Sequence, residues 1–190
     1  IRRYPDINHT VRCQYPIPDW DPAFAHTLNR EPVMPMPNMQ SHIYLKYRNV
    51  SDGFGTYSDG IHDDLNKQIW NVLGWDPQAD IDAALLEYGK VWFGVDLATD
   101  VANGLRALEA NWTGPVLDNT GIPRTLAAWE GIAKRVPDFD KNWRAQMYLF
   151  RARFDAHVQA EARAQQGYEA QALAALAEAP QTGVPQAIER

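Results

Sequence analysis

Carboxylates and imidazoles crowd into two short runs of this sequence. Tyr57-Ser58-Asp59-Gly60-Ile61-His62-Asp63-Asp64 holds three carboxylates and one imidazole within six residues. Tyr4-Pro5-Asp6-Ile7-Asn8-His9-Thr10 holds Asp6, Asn8 and His9, with Arg12 and Gln14 just beyond. Paired carboxylates can divide general acid and base work, or grip a pair of sugar hydroxyls. Asp59 is the leading catalytic candidate, because a strand-end carboxylate is a common catalytic placement in barrel enzymes. Asp6, His9 and His62 join it. Arg12, Tyr57, Asp63 and Asp64 are candidates for holding a substrate. Each run also has a plainer reading. The first suits a capped helix with an acidic first turn, and the second an Asx turn leading into a strand.

A third run, Pro18-Asp19-Trp20-Asp21-Pro22, sets an indole between two carboxylates. That pattern suits a pyranose, with Trp20 against its C–H face and the acids accepting from its hydroxyls. Downstream, Arg30-Glu31-Pro32 adds Glu31 as a binding candidate, although an Arg30–Glu31 ion pair bracing the loop is the stronger reading of it. No metal or other cofactor is expected. His9, His62, Asp63 and Asp64 are ligand types, but their spacing matches no zinc or EF-hand pattern. His26, His42 and His157 read as structural or exposed. There is no phosphate loop, dinucleotide fingerprint, nucleophile elbow or CxxC pair. The single cysteine, Cys13, excludes an internal disulfide. The sequons at Asn8, Asn49 and Asn111 are short enough to arise by chance.

These groups must be positioned by a chain of two styles. Seven prolines between Ile1 and Asn38 rule out a long helix there. His9–Tyr15 alternates as a short strand, and the loop from Pro16 to Pro37 follows. Met39–Tyr47 is expected to be helical, and Gly53–Tyr57 a second strand. A helix then starts near Asp59, its N-cap, with Ile61, Leu65, Ile69, Val72 and Leu73 on one face and Gly74 ending it. After Pro77 four further helical patterns follow: Ala79–Phe93, Leu97–Trp112, Pro123–Val136 and Lys141–Ala164. The last carries a stripe of Trp143, Met147, Phe150, Phe154 and Val158. An alanine-rich helix, Tyr168–Ala179, and a frayed tail close the sequence. The expected organisation is a segment 1–77, a helical bundle 78–179 and a tail 180–190.

The chain has 190 residues, 45% of them hydrophobic, and a net charge of −6. That supports a real core and argues against nucleic-acid or anionic-membrane partners, which favour a basic face. No apolar run reaches the ~18–20 residues of a membrane span, and the charged, polar start is unlike a signal peptide. Compartment stays open between cytoplasm, periplasm and secretion. Six of the seven tryptophans fall between Trp20 and Trp129. They suit core anchors or sugar-stacking walls.

The run Tyr4–Thr10, then Gln14-Tyr15-Pro16-Ile17-Pro18-Asp19-Trp20-Asp21, then Arg30-Glu31-Pro32, resembles the late part of a bacterial glycoside-hydrolase-like family. So do Tyr57–Lys67, Trp70, Leu73-Gly74-Trp75-Asp76-Pro77 and Glu87-Tyr88-Gly89. The layout is similar to exo-glycosidases with a (β/α)8 barrel and a helical C-terminal domain, as in alpha-glucuronidases and N-acetylhexosaminidase-type enzymes. The resemblance implies a mainly α chain carrying the last strands of a (β/α)8-type barrel and a helical C-terminal bundle, with a carbohydrate as substrate. Two strands cannot close a barrel, so another polypeptide or a missing N-terminal region is expected to complete it. Asp59 and His62 are expected to share a cleft with Asp6 and His9, roofed by the Pro16–Pro37 loop and walled by Trp20. An Asp6 that precedes its strand would sit at the wrong end of it. The alternative function is a non-catalytic sugar-binding or assembly protein.

Overall fold

The computed structural model describes residues 2–3, 20–27, 33–57 and 63–183. The chain is mainly α-helical. Two short strands, β1 (Arg2–Arg3) and β2 (Gly53–Phe54), pair in parallel, Arg2 opposite Gly53 and Arg3 opposite Phe54. The helices are α1 (Pro22–Thr27), α2 (Pro37–Tyr47), α3 (Asp64–Trp75), α4 (Ile81–Phe93), α5 (Ala98–Ala110), α6 (Gly121–Ala133), α7 (Trp143–Ala177) and α8 (Ala179–Thr182). Among the described residues there is no larger sheet, and no helix is long and apolar enough to cross a membrane.

Helices α3 to α7 share one core. Leu65, Ile69 and Leu73 of α3 pack with Leu85, Tyr88 and Phe93 of α4, Val101 and Leu105 of α5, Trp129 of α6, and Tyr148 and Ala152 of α7. The core therefore runs across position 77, where the sequence suggested a boundary. Small residues let the helices approach. A Cβ on Gly89 would lie 2.8 Å from the Ala98 backbone, so α4 and α5 cross in close contact. Gly104 makes room for the Trp129 indole, whose Nε1 donates to the Gly104 carbonyl at 3.1 Å.

Several expected boundaries shift. Helix α3 begins at Asp64 with Asp63 in the N-cap position, so Asp59 does not cap it. It also runs through Gly74, whose missing Cβ leaves space for the Phe54 ring. Helix α7 is continuous for 35 residues and absorbs the expected alanine-rich helix. Ala, Gln and Glu around Gly167 are strong enough helix formers to offset the cost of about 1 kcal/mol for one glycine. The expected stripe on α7 is also rotated. Phe150 is 63% exposed and Trp143 39%, while Val158 is buried and Met147 and Phe154 pack at the core's edge; Ala145, Tyr148, Ala152, Asp155 and Gln159 face inward beside them. The expected strand His9–Tyr15 lies outside the described residues.

That inward face carries a charged pair. The Arg151 guanidinium meets the Asp155 carboxylate at 2.7 Å and lies 3.3 Å from the Trp112 ring centre. It also donates to the carbonyls of Val33 and Leu108. Asp155 accepts from Asn111 Nδ2 at 2.8 Å and Trp112 Nε1 at 3.0 Å. Asn111 in turn accepts from Thr125 of α6. Burial pushes Asp155 up and Arg151 down, and each charge opposes that shift in the other.

Arg151→Met leaves the buried carboxylate without its cation and should cost about 3–5 kcal/mol in chemical denaturation. Arg151→Met with Asp155→Leu should recover much of that loss. Equal losses in the single and double variants would show that the pair matters through packing alone.

Candidate functional site

The candidate site is built where β2 hands over to α3. Tyr57, three residues beyond Phe54, is exposed. Asp63 is only 2% exposed and pairs with Lys67 one turn along α3, at 3.3 Å. Asp64, the first residue of α3, is the better connected. Its carboxylate accepts from Arg144 Nε at 2.6 Å and from the Tyr88 hydroxyl at 3.2 Å. The Tyr88 hydroxyl lies 2.9 Å from that of Tyr148. Since a carboxylate accepts, Tyr88 donates to Asp64 and Tyr148 donates to Tyr88. Two helices, α4 and α7, thus converge on one carboxyl group and hold the start of α3 in place.

Arg144 extends this group to the surface. Its guanidinium carbon lies 3.5 Å from the Trp92 ring centre and 4.1 Å from that of Trp143. Such contacts are favourable for a planar, weakly hydrated cation. Asn142 pins the same corner, its Oδ1 accepting from Ala145 N–H and its Nδ2 donating to the Trp92 carbonyl. Among the described residues, neither Arg144 Nη atom has a hydrogen-bond partner.

Trp20 is placed elsewhere. It is half-buried, stacks on Trp112 with ring centres 6.3 Å apart, and its backbone bridges to Thr113. Asp21, beside it, caps α1 through Ala23 N–H and ties that helix to Val116 N–H. Asp6, His9, Arg12, Glu31, Asp59 and His62 lie outside the described residues. Of the predicted groups, then, Asp63 and Asp64 stand together at the head of α3, Tyr57 precedes them, and Trp20 packs against the end of α5.

Arg144, Trp92 and Trp143 were missed. Their positions in sequence showed only helical spacing, and nothing local ties residue 64 to residue 144. No group of three or more possible metal ligands occurs among the described residues. A cavity of about 620 Å³ opens between α5 and α6, beside Gly104, Ala107 and Ala128. Its buried polar residues, Asn111 and Thr125, are already engaged with each other and with Asp155.

The two phenols have a titration signature. Burial first, and the nearby charge of Asp64 or the other phenol next, raise the pKa of both Tyr88 and Tyr148 above the ordinary 10.0. An acid whose folded pKa is raised leaves stability intact below the unfolded value and erodes it above. Stability should therefore fall as pH rises past about 10. Absorbance at 295 nm should show two tyrosines ionising only as the fold melts, and Tyr88→Phe should remove one of them. Ionisation of both before any loss of helix would contradict this.

Comparison of the chain with protein-family models, with curated proteins and with solved structures finds no match.

Proposed function

We propose that this chain is a carbohydrate-active glycoside hydrolase, or the C-terminal portion of one. In this reading β1 and β2 are the last strands of a (β/α)8-type barrel, and the helical bundle is its C-terminal support. The observation that carries the reading is the parallel pairing of the two strands. Parallel neighbours need a crossover, which here includes α1 and α2, and they end on the same side of a sheet. Asp6 lies three residues beyond Arg3, and Asp59 five beyond Phe54. Both acid-bearing segments therefore leave from the same end, the end where barrel enzymes place their catalytic groups.

The position of β1 supports including Asp6 in this reading. With β1 at Arg2–Arg3, Asp6 and His9 follow a strand and do not only precede one. Asp59 is likewise released from duty as the cap of α3, a role its position no longer fits. In the proposed mechanism Asp59 is one of a carboxyl pair flanking the scissile bond, with Asp6, His9 and His62 beside it. A hydrolase needs two carboxyl groups roughly 5–10 Å apart. Another polypeptide, or a region preceding these strands, supplies the rest of the barrel.

The test is turnover of a panel of aryl glycosides by the native, complete assembly. Asp59→Asn should lower it by roughly 10²–10⁴-fold, the usual contribution of an acid–base group, with the melting temperature nearly unchanged. Full activity in Asp59→Asn would overturn the assignment. Binding of glycans without any turnover in the wild-type protein would favour the second reading, a non-catalytic sugar-binding or assembly protein.

A further inference from the structure

The head of α3 carries a surface that the hydrolase reading does not itself use. Trp92 closes α4 and Trp143 opens α7, and both remain about two-fifths exposed, at 42% and 39%. One cation, Arg144, touches both rings, so the two indoles belong to one locality. The same cation is bound to Asp64, at the head of the helix that follows β2. The shelf is therefore held at the N-terminal end of α3.

Its chemistry is that of sugar recognition. A pyranose presents an apolar C–H face and a rim of hydroxyls. Indole faces match the first. Planar donors and a carboxylate match the second, each able to bond one or two adjacent hydroxyls. Arg144 has both Nη groups unengaged among the described residues, with 14% of its side chain exposed, and Asp64 retains 27% side-chain exposure. Arg144 is also held in advance, by Asp64 on its Nε and by the rings against its plane. A donor fixed before binding loses less conformational freedom when a ligand arrives.

We propose that Trp92, Trp143, Arg144 and Asp64 form a binding subsite for a polysaccharide chain, stacking one sugar unit at the head of α3. This rests on the hydrolase reading for its place in the molecule, but its test is one of binding. The native, complete assembly, with the wild-type chain or each variant in it, is run in native gels containing soluble xylan, glucomannan, β-glucan or pectin. At least one should retard it. Trp92→Ala and Trp143→Ala should each weaken that retardation about tenfold, the effect of losing roughly 1.4 kcal/mol of contact. Trp143→Phe should restore most of it, because a ring face is retained. Trp75→Ala is the control. Trp75 is 94% exposed but stands at the far end of α3 from Asp64, about 16 Å along the axis.

Circular dichroism on each variant separates loss of binding from loss of fold, and Arg144→Lys, which keeps the charge opposite Asp64, supplies a milder probe. Retardation by none of the four polysaccharides overturns the subsite, as does undiminished retardation of both folded tryptophan-to-alanine variants. Aryl-glycoside turnover in the same samples keeps the two ideas apart. Cleavage without polysaccharide binding sinks the subsite and leaves the hydrolase reading. Binding lost in the shelf variants, with no cleavage by any sample, sinks the hydrolase reading and leaves the subsite.

Discussion

The buried Arg151–Asp155 pair is the interaction on which the helical body depends. Taking two charges out of water is costly, and the cost is met only when nearly every donor and lone pair finds a partner. Here the partners come from separate parts of the chain. Leu108 lies in the last turn of α5 and Asn111 and Trp112 follow it directly, Thr125 reaches in through Asn111 from α6, and Val33 lies on the extended segment before α2. Breaking the pair would therefore loosen several junctions at once. A hydrophobic replacement could fill the space, but it would not dictate which carbonyls and amides meet there.

Similar remote polar contacts hold the N-terminal half onto the bundle. The first turn of α2 has no cap of its own, and Pro37 occupies its first position. Glu109 of α5 supplies the cap instead, accepting from the N–H groups of Asn38 and Met39 at 2.9 and 2.7 Å. Burial raises the Glu109 pKa, and those two amides oppose the rise. Asn66 of α3 pairs with the extended backbone, accepting from Met36 N–H and donating to the Met34 carbonyl. Gln40 accepts from Trp70 Nε1 at 2.6 Å, joining α2 to α3. Each contact satisfies backbone or indole groups that burial would otherwise leave bare.

The Asp64 cluster applies the same logic closer to the surface. Tyr148, Tyr88 and Arg144 converge on one carboxylate, and their order fixes the direction of each hydrogen bond. The consequence for function is positional. A segment carrying Asp59 and His62 enters α3 at a residue that the bundle grips from two sides. The same carboxylate joins the head of α3 to Arg144 and, through it, to Trp92 and Trp143.

Helical spacing in the sequence was enough to place the cores of α2 to α6 to within a few residues, because Leu, Ile and Trp at three- and four-residue intervals can bury one face only as a helix. The strand at Gly53 was legible from its aromatic and glycine pattern before a turn. Local pattern could not say which face of α7 turns inward. Phe150 and Trp143 outrank Arg151 and Asp155 in hydrophobicity, so only the partners at residues 33, 108, 111 and 112 make the charged face the buried one. It could not show that Asp64 meets Arg144, eighty positions away. Nor could it show that β1 lies at Arg2–Arg3, since a two-residue strand exists only through the neighbour it pairs with. The sequence by itself determined the helices and which residue types were able to do chemistry. Only the tertiary structure decided which of those residues stand together, because hydrogen bonds and ion pairs between distant residues leave no period in the chain.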